Sequence, residues 1–399
     1  MAPLTGIRVI DVSAVAAAPY VGQILGDFGA DVIKVEPPHG DDGRRMGAPG
    51  PRGAAVFEAC NRNKRAMALD LADRRGREVL LRLLEGADIL LENFKPGTLE
   101  KWGLSYAGVL RQRFPRLIHC SVTGFGQTGP YSRFPGYDAM GQAFGGIMSF
   151  NGNPEDEAGR VAVSVADLTS TGMAAMGVLL ALQERHRSGL GQSVDIGLMD
   201  SALSLLIPYG LNWMLGGDGA APKRLGNRIP HGAPHDVFRT RTGNVFLCVI
   251  TDAQFIGLCE GLGRPDLARD PRFMPRDERI KNADALKAIL DTLLADEEAE
   301  PLSERMLAKG VPVGAVLTVP QAFRHKQAVA REMRVEAPGY SGIGTPIKLD
   351  RTPMQIARIP PRFAQHNREV LREAGFSEAE IDKLIAEGVV PETPRPLRA

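Results

Sequence analysis

The residue whose type and setting could most directly do chemistry is Asp167, in the run V-A-D-L-T-S-T-G, where an apolar stretch over 161–166 meets a long helical pattern reaching about His186. A carboxylate at a helix start has two readings. It can cap the helix by accepting backbone N–H bonds, or it can stand beside free N–H donors and the positive end of the helix dipole, where an oxyanion formed nearby would be stabilised. Spacing alone leaves both open.

Other chemistry-bearing patterns are thinner. G-F-G-Q-T-G over 124–129 has the G-x-G-x-x-G spacing and follows a strand-like run, but Pro130 and Pro135 stand where a dinucleotide site needs a helix. The later glycine-rich stretch over 141–152 lacks that spacing, and neither a P-loop nor a G-x-S-x-G elbow occurs. The seven histidines include no pair at metal-binding spacing on a helix; His231 and His235 lie four apart in a proline-rich segment. No metal site is expected. Cys60, Cys120, Cys248 and Cys259 form no C-x-x-C pair or dense framework, which fits reduced thiols in a cytoplasmic chain. Arg44, Arg45, Arg62, Lys64 and Arg65 read as a solvated face or as a grip on a phosphorylated ligand.

Positioning such residues needs a frame, and the first half supplies one. Strands are expected at 7–12, 32–36, 89–92 and 117–122, with helices at 19–28 and 74–85 between them, the alternation of βαβ units on a mostly parallel sheet. The 161–166 run reads as a further short strand, and 194–196 with 200–215 as another strand–helix step. Glycines and prolines crowd 216–234, an extended linker. Beyond it, 236–251 reads as a hairpin around Thr242 and Gly243, followed by helices. Ile347 falls on an apparent edge strand and 378–387 on a last helix.

Size and composition bound the rest. A chain of 399 residues exceeds one usual core, so two domains are expected. With 48 basic and 47 acidic residues there is no net field for nucleic acid or an anionic membrane, so an anionic ligand must be held by local groups. The N-terminus lacks an export-signal pattern, and the most apolar helical run, 173–182, is too short to span a bilayer. A soluble cytoplasmic protein with neither a nucleic-acid nor a membrane partner is the expectation.

Taken in series, L-x-G-I-R-V-I-D over 4–11, G-A-D-V-I-K-V-E over 29–36, N-R-N-K-R over 61–65, E-N-F-K-P-G over 92–97, S-V-T-G-F-G-Q-T-G-P over 121–130, G-Y-D over 136–138, the Asp167 motif and G-L-G-Q-S-V-D-I-G-L-M-D over 189–200 span nearly the whole chain. This ordered set resembles the class III CoA-transferases, the family that includes formyl-CoA transferase, carnitine CoA-transferase and the α-methylacyl-CoA racemases. The resemblance implies an acyl-CoA:carboxylate CoA-transferase in which Asp167 is the nucleophile and forms aspartyl anhydride and aspartyl-CoA thioester intermediates. It implies CoA or acyl-CoA as substrate and no tightly bound cofactor or metal.

The resemblance also implies ligand positions. Asn93, Phe94, Lys95 and Lys101 match the CoA-contacting segment, Val15 and Ala16 the loop after the first strand, and Arg44 a basic position. Leu69 to Ala72 match the adenine flank, and Tyr137 and Met199 match further neighbours of the ligand. Tyr137 stands where the racemases carry histidine, and a tyrosine of pKa about 10 is a poor base near neutrality. Ala16 stands where formyl-CoA transferase has glutamine. These departures point away from racemisation and from oxalate or formate, toward acids such as succinate, glutarate, itaconate or mesaconate. The implied fold is α/β: a Rossmann-like large domain from residues 1–215 and 322–399, a linker over 216–234, and an inserted α+β domain over 235–321, in an interlocked homodimer. Two alternatives stand beside it, an acyl-CoA isomerase (racemase or intramolecular CoA transfer) and a non-catalytic CoA-binding protein.

Overall fold

The computed structural model describes residues 1–396. Short β-branched runs become six strands: β1 (Arg8–Asp11), β2 (Asp31–Glu36), β3 (Lys64–Ala68), β4 (Ile89–Glu92), β5 (Ile118–Thr123) and β6 (Ser193–Gly197). They form one sheet in the order β3-β2-β1-β4-β5-β6, with every neighbouring pair parallel. A parallel sheet is covered on both faces, which is why β2 and β4 read as nearly continuous apolar or β-branched runs. One face, with Val9, Val32, Ile89, Leu91 and Ile118, packs against the helices Ala17–Asp27 and Val165–Ser188. The other, with Ile10, Ile33, Met67 and Leu90, packs against Arg74–Leu84 and the C-terminal helices Asn367–Glu373 and Glu378–Ala386.

The chain order reverses between β1 and β4, the switch point at whose carboxyl ends such sheets bind ligands. The loops that emerge there, after Asp11 and after Glu92, therefore stand where a site is expected.

The structure departs from the sequence expectation at several elements. β3 was not expected, because it opens on Lys64 and Arg65; both are buried and paired, so the strand hides charge that composition would place in water. The 161–166 run is not a strand: it is irregular until the helix begins at Val165. The expected helix over 200–215 is two helices, Leu198–Ser204 and Ile207–Gly216, with Pro208 in the first turn of the second. Ile347 lies outside any strand; the hairpin of this region is Arg334–Ala337 with Tyr340–Ile343. The helix Val165–Ser188, at 24 residues, is also longer than the apolar run suggested, and by length and hydropathy it could cross a membrane. Its buried stripe of Ala174, Ala175, Val178, Ala181 and Leu182 lies in the sheet core, the packing of a core helix.

The chain forms two compact units: residues 1–147, 160–219 and 331 onward make the first, and 148–159 with 220–330 the second. The 216–234 segment thus divides between them, and 322–330 belongs to the second unit. Within the first unit the returning chain covers the edge of β3. Ala66 donates its N–H to His366 Nδ1 at 3.0 Å and Ala68 to Asn367 Oδ1 at 2.9 Å, satisfying backbone groups that an open edge would leave unpaired. The second unit is built on the antiparallel strands His235–Thr240, Gly243–Cys248 and Val313–Ala315. Phe238, Leu247, Phe255, Leu286 and Leu290 form its core.

Candidate active site

Asp167 is the third residue of the helix Val165–Ser188, not its cap; Ser164 occupies the cap position and its side chain makes no capping bond. The first-turn N–H groups are met instead from another helix. Asp138, first residue of Asp138–Phe144, accepts the N–H of Ala166 through Oδ1 at 2.9 Å and lies 3.4 Å from the N of Asp167. Its other oxygen takes Gln142 Nε2 at 2.7 Å, and Gln142 Oε1 in turn accepts the N–H of Val161 at 2.8 Å. Close approach of the two helices needs Gly141, where a Cβ would lie 2.9 Å from that of Ala166.

This arrangement leaves the Asp167 carboxyl half-buried, with a second carboxylate beside it and no cation paired to it among the described residues. Burial, and then the charge of Asp138, push its pKa up to about 6. Such a group is ionised at neutral pH yet poorly solvated, a suitable state for attack on a carbonyl carbon. Thr171, one helical turn on, donates its hydroxyl to Ala17 O at 2.8 Å and contacts Asp167 O at 3.0 Å. The start of the helix Val165–Ser188 is thereby tied to the segment that leaves β1.

That segment lines a cavity of about 420 Å³ at the carboxyl ends of β1, β2 and β4, walled by Val12, Ala14, Leu69, Ala72, Phe94 and Trp102 among others. Leu69, Ala72 and Phe94, expected as ligand positions, meet here. Val15 and Ala16 lie in the same loop, Val15 with φ of 71°, a left-handed conformation that is a genuine outlier for a β-branched residue. Lys95 is exposed at a second, smaller cavity of about 210 Å³ with Glu92, His119 and Gln127. Lys101 is exposed and lines neither. Tyr137 is 74% exposed immediately before Asp138, and Met199 is half-buried, its N–H donated to Gly124 O at 3.1 Å.

The early basic cluster is neither a solvated face nor a free grip. Arg44 makes a two-point pair with Glu36, through Nε at 2.7 Å and Nη2 at 2.6 Å, and stacks over Phe57. Arg62 makes another with Asp27 at 2.8 and 2.6 Å, Lys64 meets Asp11 at 2.8 Å, and Arg65 meets Asp31, Glu369 and Glu373. Only Arg45, on Asp42, is largely exposed. These cations stitch strands and the returning chain together. Asn93 likewise turns its amide inward: Oδ1 accepts the N–H of Ala14 at 2.9 Å and Nδ2 donates to Ala14 O at 2.8 Å.

Sequence reasoning did not single out Asp138 as a partner of Asp167, nor Asp41, which receives the N–H of Val15 at 2.9 Å. Both sit in runs with visible signals, G-Y-D and G-D-D-G, but their partners are distant in sequence. No group of metal-ligating side chains occurs among the described residues.

Fold and site together define an open-sheet α/β protein with a cavity at the switch point and an under-solvated carboxylate on a helix tied to the segment after β1. The chain belongs to CoA-transferase family III, whose family model matches residues 4–367. It is 37% identical over 384 residues to the succinate–glutarate CoA-transferase of Agrobacterium fabrum, covering 93% of this chain and 95% of that one. It is 38% identical over 349 residues to the acetyl-CoA:oxalate CoA-transferase of Acetobacter aceti, covering 87% and 89% respectively. A crystal structure of a CAIB/BAIF family protein from Brucella suis superposes with a TM-score of 0.86 at 37% identity, covering 94% of this chain and 99% of that one. An oxalate enzyme and a glutarate enzyme thus stand at nearly equal identity, so the residues toward the acceptor, not overall likeness, must rank the acid.

Proposed function

We propose that this protein moves coenzyme A from a donor such as succinyl-CoA to a small dicarboxylic acid, with Asp167 as the covalent nucleophile. The ionised carboxylate attacks the thioester carbonyl; the C–S bond breaks, CoA leaves as thiolate, and the acyl group remains on Asp167 as a mixed anhydride. The thiolate then attacks the aspartyl carbonyl, releasing the donor acid as carboxylate and leaving an aspartyl-CoA thioester. The acceptor carboxylate attacks that thioester and expels CoA thiolate, which takes the acceptor acyl group from the second anhydride and frees Asp167. Every step exchanges one carboxylate or thiolate for another, so the cycle needs neither redox cofactor nor metal, and CoA is substrate only.

The observation that carries this reading is the Asp167 carboxyl itself: half-buried, raised to about 6, and one helical turn from a residue bonded to the cavity loop. Holding such a group beside the thioester supplies the proximity that a modest nucleophile needs. The cavity bounded by Leu69, Ala72 and Phe94 is assigned to the nucleotide end of CoA.

An interlocked homodimer belongs to the same proposal, with the first unit as the Rossmann-like domain and the second as the inserted one, in the cytoplasm. It is supported by the apolar surface that the first unit leaves uncovered: Leu168, Met176 and Leu180 on the nucleophile helix, and Ile207, Met214 and Leu215 on the helix Ile207–Gly216.

The decisive experiment replaces Asp167 by Asn and assays succinyl-CoA against a panel of mono- and dicarboxylates including glutarate and oxalate. Turnover is expected to fall by at least about 10³-fold while CoA still binds. Hydroxylamine added during turnover should attack the activated aspartyl carbonyl, expel CoA thiolate or the donor carboxylate and leave Asp167 as its hydroxamate in the unaltered protein, and retained turnover in the variant would remove the assignment.

A further inference from the structure

Residues 13–16 form the turn that leaves β1 at the switch point, between the cavity and the nucleophile helix, and their main chain is held by side chains from four other places in the sequence. We propose that Asn93 and Asp41 are positioning residues of the reaction: they fix this turn, with Val15 left-handed, as the rigid wall against which the acyl thioester is set for Asp167. The inference rests on Asp167 as nucleophile and goes beyond it by assigning how its neighbourhood is kept in register.

The geometry is specific. Asn93, just past β4, meets both the N–H and the C=O of Ala14, so its amide bridges the two strand ends at which the sheet reverses. Asp41 Oδ1 accepts the N–H groups of Val15 at 2.9 Å and Gly43 at 2.8 Å. Its other oxygen lies 2.7 Å from Lys34 Nζ, in a pair with no solvent exposure. Lys34 also donates to Ser13 O, while the N–H of Ser13 donates to Asp11 at 3.0 Å. Asp11 is held by Lys64, whose ammonium also donates to Pro19 O at 2.7 Å and Asn61 Oδ1 at 2.8 Å.

Backbone strain persists only where its surroundings over-determine it, and it gathers at functional sites. A glycine at position 15 would take φ of 71° freely but would leave the turn many other conformations. Valine, forced there by Asp41 and Asn93, leaves few. The turn continues into Ala17, whose carbonyl receives Thr171 from the nucleophile helix at 2.8 Å. The same residues therefore set the cavity wall and the position of Asp167 relative to it. Asn93 thus engages Ala14 through one donor and one acceptor position of its amide.

The test uses the full chain with succinyl-CoA and glutarate, measuring kcat, KM, the melting temperature and the single-turnover rate of Asp167 acylation. Val15→Gly removes no side-chain hydrogen bond; it is expected to stay folded with a cooperative melt, KM within about threefold and kcat down about tenfold. Asn93→Ala is expected to lower kcat by about 10- to 100-fold, the effect of a small misplacement of reacting groups, again with little change in KM. Should Asn93→Ala fail to fold, Val15→Gly carries the test. A folded Val15→Gly with unaltered kcat, or an Asn93→Ala that acts on KM alone, overturns the proposal. Asp167→Asn run alongside separates the causes. If it still turns over, the nucleophile and this proposal fall together; if it is inactive while the other two keep their kcat, positioning alone falls.

Discussion

Two aspartates in the first unit, Asp41 in the loop after β2 and Asp167 at the start of the helix Val165–Ser188, are driven in opposite directions by their surroundings. At Asp41 burial opposes the charge, but the Lys34 ammonium and the N–H groups of Val15 and Gly43 outweigh it and hold the carboxyl below its ordinary range. At Asp167 burial acts with a second carboxylate, Asp138, and no cation among the described residues offsets them, so the pKa rises to about 6. One region uses a buried charge as a rivet. The other leaves a charge under-solvated and therefore reactive, and the difference lies in partners rather than in residue type.

The largest expected effect comes from breaking the rivet. Asp41→Asn keeps an oxygen for the Val15 N–H but leaves Lys34 buried without its nearest counter-charge. It should cost about 3–5 kcal/mol of stability, read as a drop in denaturation midpoint. An unchanged midpoint would mean that the two regions do not differ as described.

A smaller effect sharpens the reactive side. Asp138→Asn removes the second cause of the raised pKa and keeps the larger one, burial. The acidic limb of kcat/KM for the acyl-CoA, expected near pH 6 in the unaltered protein because only the ionised carboxylate attacks, should move to lower pH without reaching 3.8. A limb that stays in place would detach Asp138 from the nucleophile.

The smallest effect concerns Asp167 and stability. Its proton is held more tightly in the folded chain than at its ordinary value of 3.8, so the stability it contributes is complete below that value and is lost as pH rises through about 6. Asp167→Asn, neutral throughout, should therefore be more stable than the unaltered protein at pH 7–8, by about 1–2 kcal/mol after solvent screening. The gain should vanish near pH 4. Melting curves at the two pH values measure it, and a loss of stability at pH 8 would contradict the burial described for this carboxyl.

Much of this frame was legible in the chain. The runs V-I-K-V-E and I-L-L-E declare buried parallel strands by their continuous apolar or β-branched character, and β2 and β4 lie where they predict. Asp167 was legible as a candidate from its place at a helix start and from the ordered motifs around it. β3 was not, because K-R-A-M-A opens like a surface segment; Asp31, Glu369 and Glu373, which permit Arg65 to be buried, lie 34 to 308 residues away. The 161–166 run misled for a related reason: its short apolar character suggested a strand, but among the described residues it pairs with no sheet neighbour.

By itself, then, the sequence determined the periodic elements, the family motifs and the candidacy of Asp167, since these depend on residue type and short-range spacing. Only the tertiary structure decided that Asp138 reaches across to the first turn of the helix Val165–Ser188, that Arg62, Lys64 and Arg65 are internal rivets, and that Asn93 holds Ala14. The physical reason is that a carboxylate or an amide has no role until its partners are chosen, and those partners are brought within 3 Å by the packing of strands and helices far apart in the chain.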